Sequence, residues 1–223
     1  MIALIEVYPS RFTARALEPH ALSPIPPPES TRRVSLLDTL LGSRDIRPFG
    51  VVTDFPQAEC DIGIVHRSWG LHEQGKYYGD NFRFFEYQLV GSRLKAFLMH
   101  YAVSSIRTAL RVFAPFRWLV KKILPPAGSG PPKSEFQNYR VAFKTVATAD
   151  CEPVHKVLAS LNYNGSPYYL TGVLVVQAAL TLLQGGETLG KSLAGMVTPS
   201  TWGMELVDRM KKAGIELDVS LLD

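Results

Sequence analysis

The sequence predicts an α+β fold, a mixed or antiparallel sheet with helices on one face and a C-terminal helix–strand tail. Three observations carry this expectation. Tyr139–Thr148 (YRVAFKTVAT) and Val157–Tyr163 alternate apolar and polar residues, as two antiparallel strands with one wet face do. Arg93–Leu124 is a long amphipathic stretch of helical period. After the two strands the order becomes helix, helix, strand: an apolar helix from about Tyr169 to Leu183, a second helix from Trp202 to Ala213, then Ile215–Val219. Gly214 stands where a helix end favours a residue tolerant of positive φ.

Taken in order, Ile2–Tyr8 is β-branched and alternating, and predicts a short strand. ALSPIPPPE predicts an extended connector, since each proline fixes φ and lacks a donor. Val34–Leu41 predicts a short helix closed by Gly42. Val51 and Val52, and then Ile62, Ile64 and Val65, predict strands separated by Gly and Pro. In HRSWGLHEQGKYYGDNFRFFEYQLV, Gly75 and Gly79 bracket a turn around Tyr77 and Tyr78, and Phe82, Phe84 and Tyr87 alternate like a strand. PPAGSGPP is a flexible loop after the amphipathic stretch.

The chain has 223 residues, 46% of them hydrophobic and 20% charged, so it can bury a core. Its two cysteines, Cys60 and Cys151, imply no disulfide framework and a reducing compartment. The N-terminus lacks the basic and apolar regions of a signal peptide, since MIALIEVY meets Glu6 at once. The expected location is cytoplasmic, with peripheral attachment to a membrane or lipid droplet as the addition that the charge pattern suggests.

That pattern is concentrated. Arg93, Lys95, Arg107, Arg111, Arg117, Lys121 and Lys122 fall in one stretch, and no Asp or Glu occurs between Glu86 and Glu135. Arg93, His100, Arg107, Arg111, Lys121 and Lys122 share one face, with Leu94, Phe97, Leu98, Tyr101, Val112, Phe116, Leu119 and Ile123 opposite. Arg93, Arg107, Arg111, Arg117, Trp118, Lys121 and Lys122 are therefore the candidate residues for an anionic membrane interface. A plain core or subunit-interface helix pair is the competing expectation. Within this stretch the longest uncharged run, Ala96–Ile106, is far short of the roughly 20 residues a bilayer crossing needs. Pro115 should kink or split the helix. Nucleic-acid binding is not expected, because basic residues are not interleaved with stacking aromatics on a reader motif.

Motifs of chemistry are sparse. GGETLGKS, Gly185–Ser192, fits the phosphate-loop pattern G-x-x-x-x-G-K-[ST]. Its context opposes that function: Gly195, Pro199 and Gly203 disfavour a helix after Lys191, and a helical segment rather than a buried strand precedes it. The histidines His20, His66, His72, His100 and His155 show no metal-ligand spacing, and Cys60, His66 and His72 recur every six residues, which suits no common ligand set. G-x-S-x-G and G-x-G-x-x-G are absent.

Two segments carry a resemblance. SPYYLTGVLVVQAALTLL followed by GMVTPSTWGMELVDRMKKAGIELDV resembles the C-terminal end of the saccharopine dehydrogenase-like oxidoreductases, which include trans-acting enoyl reductases and lipid-droplet-associated homologues. The matching pieces are Val176–Leu183, Gly195–Pro199, Leu206–Met210 and Ala213–Val219, and HRSWGLHEQGKYYGDNFRFFEYQLV resembles an upstream segment of the same family. The resemblance runs from about residue 10 onward. It implies a chain equivalent to the family's second, non-Rossmann portion: residues 1–30 a strand and connector, 31–190 a substrate- and dimer-side domain with a membrane-type helical insertion at 93–124, and 191–223 a tail that packs on a Rossmann domain in the family. It also implies a truncated or partner-dependent member whose NAD(P)H cofactor is supplied by a separate Rossmann polypeptide or lost through truncation, and an acyl or polyketide substrate. Implied partners are that polypeptide or a polyketide or fatty acid synthase, an anionic membrane or lipid droplet, and a second copy of the chain. A non-catalytic lipid-surface or partner-binding role is the alternative. The resemblance names no catalytic residue; Arg67, Tyr77 and Tyr78 are the candidates for lining a substrate pocket.

Overall fold

The computed structural model describes residues 18–28, 35–126, 128–129, 132–193 and 195–222, so the expected strand Ile2–Tyr8 lies outside the described residues. The chain divides into two compact units, 1–129 and 130–223, which meet within the PPAGSGPP loop. The class is α+β, and the strands form two three-stranded antiparallel sheets rather than one.

In the first unit, α1 (Leu36–Leu41) ends at Gly42, whose φ of 57° lies in the left-handed region that favours glycine. Strands β1 (Arg44–Ile46), β2 (Gly50–Asp54) and β3 (Tyr87–Leu89) follow in that spatial order, with Arg44 opposite Val52 and Asp54 opposite Tyr87. The strand expected over Ile62, Ile64 and Val65 is instead part of helix α2 (Ala58–Leu71). Tertiary packing overrides the β-branched preference there. Ala58, Gly63, His66, Trp69 and Gly70 are buried at helical spacing, and Glu59 and Asp61 favour the N-terminal end of the helix dipole. The Pro-rich connector is more than a spacer, because it lies against α2. A Cβ added at Gly70 would stand 2.6 Å from Ser23 Oγ and 2.8 Å from Pro24 Cδ, so only glycine permits that approach.

The strand expected from Phe82 shortens to Tyr87–Leu89, because the Phe82 ring is drawn away to stack on Trp69, with centroids 6.3 Å apart. The amphipathic stretch then forms α3 (Arg93–Val112) and α4 (Ala114–Ile123). Ser92 caps α3 by accepting from the Lys95 N–H. The break falls at Phe113 rather than at Pro115. Proline sits in the first turn of α4, where its missing donor costs nothing.

In the second unit, β4 (Arg140–Thr148), β5 (Lys156–Asn164) and β6 (Glu216–Leu222) form the second sheet, with Val141 opposite Tyr163 and Leu161 opposite Leu217. Helix α5 (Pro167–Gln184), the four-residue turn α6 (Leu189–Ser192) and α7 (Gly203–Lys212) complete it. Leu170, Leu206, Met210 and Ile215 make the core, against which Val141, Leu161, Tyr163 and Leu217 pack from one face of the sheet. Residues alternating with these (Arg140, Lys144, Lys156, Glu216, Asp218) form the wet face, as expected. Farther along the apolar face, Phe143, Val219 and Leu221 are exposed. Gly214, at φ 87°, follows α7 and lets the chain reverse so that Ile215 enters the core. With 18 residues, α5 is long and apolar enough to cross a membrane by length and composition, yet it packs Leu170 and Thr181 inward.

Candidate functional site

The first unit brings together the aromatic and histidine residues of HRSWGLHEQGKYYGDNF. Helix α2 presents His66 and Trp69 on its buried side, where His66 Nδ1 lies 2.9 Å from the Ile62 carbonyl and Trp69 Nε1 donates to the Gly79 carbonyl across 3.0 Å. The second bond ties the helix to the turn that follows it. His20 packs on His66 at 4.1 Å between ring centroids, and Phe82 closes the cluster from the far side. Beyond the helix end, His72 stacks on Tyr77 at 5.1 Å, Tyr77 meets Tyr78 edge-on at 4.8 Å, and Tyr78 reaches Phe82 at 5.5 Å. The result is a continuous aromatic run from a buried His–Trp end to an exposed Tyr–Tyr end.

Burial sets the electrostatics. The His66 imidazole is pushed down to about 4 by burial and then by the neighbouring His20, so it is neutral at physiological pH. His20 and His72 are also lowered by burial, and His20 Nδ1 and His72 Nε2 are buried without a hydrogen-bond partner. Glu86, which follows the aromatic run and precedes β3 in the chain, is pushed up to about 7 by burial and by the neighbouring Asp61 carboxylate. This carboxyl can hold or release a proton near neutrality.

Of the expected pocket residues, Tyr77 and Tyr78 come together, while Arg67 is half-buried on α2 and engaged by interactions of its own. Sequence reasoning missed His66, Trp69 and Glu86. The signal was the helical spacing of Ala58, Ile62, His66 and Trp69, which the β-branched residues obscured.

The expected membrane-interface residues divide into two groups. Arg107 turns inward: it donates to the Pro56 carbonyl and to Glu59 Oε1, the latter at 3.3 Å. His100 lies 3.4 Å from Asp54, and the Thr53 hydroxyl donates to the Gly42 and Ala96 carbonyls. The side of α3 that contacts its own sheet is thus the polar one, with Ala96 fully buried at its centre. Arg93, Arg111, Lys121 and Lys122 are exposed, Arg117 is half-buried, and Lys122 Nζ sits 3.8 Å above the exposed Trp118 ring. The apolar stripe points away from the sheet, with Leu94 69%, Val112 74% and Ile123 72% exposed.

The second unit decides whether GGETLGKS suits a nucleotide. The Gly186 N–H donates to Glu205 Oε2 across 3.0 Å, and the Lys191 ammonium donates to the Gly185 carbonyl. A carboxylate occupies the position of an anionic guest, and the Gly186 N–H followed by Arg209 holds Glu205 below the usual carboxylate range. A pyrophosphate would meet that charge at once, so these residues do not fit the phosphates of a nicotinamide dinucleotide. Among the described residues no group of three or more His, Cys, Asp or Glu is placed to hold a metal ion.

The chain is 29% identical over 175 residues to the trans-acting enoyl reductases of Mycobacterium tuberculosis (strain ATCC 25618 / H37Rv) and Mycobacterium bovis (strain BCG / Pasteur 1173P2), covering 75% of itself and 41% of each. It is 27% identical over 223 residues to the trans-acting enoyl reductase of Mycobacterium leprae (strain TN), covering 87% of itself and 52% of that protein. Its distant homologues are trans-acting enoyl reductases. The chain spans about half the length of these curated relatives. No family model and no solved structure matches it.

Proposed function

We propose that this chain supplies the substrate side of an NAD(P)H-dependent, enoyl-type reduction of an acyl or polyketide thioester. Its similarity to proteins named trans-acting enoyl reductase carries the reading. The reading places the chain in the saccharopine dehydrogenase-like group, as the equivalent of the portion beyond the Rossmann domain. The nicotinamide supplies the hydride when bound. Because the chain lacks G-x-G-x-x-G, and the Gly186 N–H and Lys191 ammonium are engaged by Glu205 and Gly185, the cofactor is assigned to a Rossmann-type polypeptide acting with this chain. The bare half of the second sheet, with Phe143, Val219 and Leu221, is the surface we assign to that polypeptide. A polyketide or fatty acid synthase on the cytoplasmic side would hold the enoyl thioester.

What the chain's own residues do follows from their placement. Tyr77 and Tyr78 offer exposed ring faces to an apolar chain, and His72 stacked on Tyr77 holds that ring in place. Glu86, half-buried and raised by Asp61, holds a proton near neutrality. Calorimetry with NADPH tests the division of labour. No heat of binding is expected with the chain alone, and saturable binding is expected when a Rossmann-type polypeptide from the same cell is co-purified with it. Micromolar NADPH affinity for the chain alone would overturn it.

A further inference from the structure

We propose that the outward face of the α3–α4 hairpin, continued by the leucines of α1, is a docking surface for an anionic lipid bilayer. This inference does not rest on the reductase reading. An amphipathic helix in a soluble unit ordinarily buries its apolar stripe and hydrates its polar face. In this hairpin the arrangement is reversed. The polar edge of α3 is consumed inward: His100 on Asp54, Arg107 on Glu59 and Pro56, and the Ala96 carbonyl on Thr53. Rotating the helix to bury its leucines would break every one of these contacts. The stripe of Leu94, Leu98 and Val112 is thereby fixed outward, and Trp118, Leu119 and Ile123 extend it along α4.

The patch does not end at the hairpin. The Tyr101 hydroxyl donates to the Leu40 carbonyl across 2.8 Å, holding α1 beside α3. On α1, Leu36, Leu37 and Leu40 are all exposed, and its one charge, Asp38, is half-buried. An apolar face alone would fit a protein partner as well as a membrane. Charge decides between them. The same hairpin exposes Arg93, Lys95, Arg111, Lys121 and Lys122, and the chain carries no acidic residue from 87 to 134. A partner protein would have to offer a broad apolar surface accompanied by carboxylates, whereas an anionic bilayer offers apolar depth under a continuous layer of negative head groups. Trp118, with Lys122 above its ring, has the amphipathic form that settles at head-group level.

The test is sedimentation of the full chain with phosphatidylcholine vesicles, with and without phosphatidylglycerol. Binding is expected to the anionic vesicles and to weaken at least about tenfold in Leu98→Glu/Val112→Glu and in Arg93→Glu/Arg111→Glu. All four side chains are exposed, so circular dichroism and the urea midpoint should match the parent. Arg107→Ala distinguishes this surface from a simple count of basic residues: its charge points inward, and vesicle affinity should stay within about twofold of the parent. No preference for anionic vesicles, or unchanged binding in Leu98→Glu/Val112→Glu, would overturn the proposal. So would a dimer, seen by light scattering, that the same pair dissolves while vesicles bind nothing, since a second copy would then be the occupant. A tenfold loss in Arg107→Ala would also overturn the assigned face.

Discussion

The Arg107 guanidinium donates to Glu59 Oε1 across 3.3 Å and to the Pro56 carbonyl, binding the middle of α3 to the start of α2. With His100 on Asp54 and the Ala96 carbonyl on Thr53, it helps to fix which face of the hairpin the unit conceals. The pair is partly exposed, so its own contribution is modest. Arg107→Ala is expected to lower stability by about 1 kcal/mol in urea denaturation, chiefly through the unmet Pro56 carbonyl. A double-mutant cycle with Glu59→Ala should return a coupling below about 1 kcal/mol.

Gly70→Ala should be more damaging. Its Cβ would enter the space of Ser23 Oγ and Pro24 Cδ and lift the connector from α2. A loss of about 1–3 kcal/mol is expected, read by urea denaturation, together with faster proteolysis near residue 24. Unchanged proteolysis would show that the connector does not depend on this contact.

His66 and Glu86 give stability opposing pH slopes. For His66 the folded value, about 4, lies below that of an unfolded histidine. The unfolded state therefore takes the proton first, and stability falls as pH drops from about 6.5 toward about 4. For Glu86 the folded value, about 7, lies above that of an unfolded glutamate. Its contribution is present at low pH and is lost as pH rises from about 4.5 through about 7. Glu86→Gln should therefore raise the melting temperature more at pH 7.5 than at pH 5. His66→Phe should flatten the loss seen on acidification. Thermal melts across the two buffers check both signs.

Ile215 is almost fully buried where the chain turns from α7 into β6. Ile215→Ala should cost about 2–5 kcal/mol, as a core truncation does. Lys191→Ala, by contrast, should leave ATP without effect on the melting temperature in either protein, since Lys191 serves the Gly185 carbonyl.

The second unit was the more legible in sequence. The Tyr139–Thr148 and Val157–Tyr163 alternation, the helix near Tyr169–Leu183 and the Gly214 turn each rest on local signals that the core of Leu170, Leu206 and Ile215 reinforces. In the first unit local and tertiary signals conflict. Ile62, Ile64 and Val65 favour a strand, but Trp69 and His66 need one buried helical face, and that packing prevails. The hairpin was visible as an amphipathic pair, yet periodicity cannot say which face docks. That depends on Asp54, Glu59 and Thr53, all distant in sequence from α3. The candidate site was legible only at its exposed end, Tyr77 and Tyr78, because the value of Glu86 depends on Asp61 in another element.

The most direct test of the substrate-side reading is fluorescence titration of the chain with a trans-2-enoyl thioester of medium chain length, without NADPH. Saturable quenching that weakens at least about tenfold in Tyr77→Ala/Tyr78→Ala is the predicted result. Equal quenching in parent and variant, or none in the parent, would contradict the account.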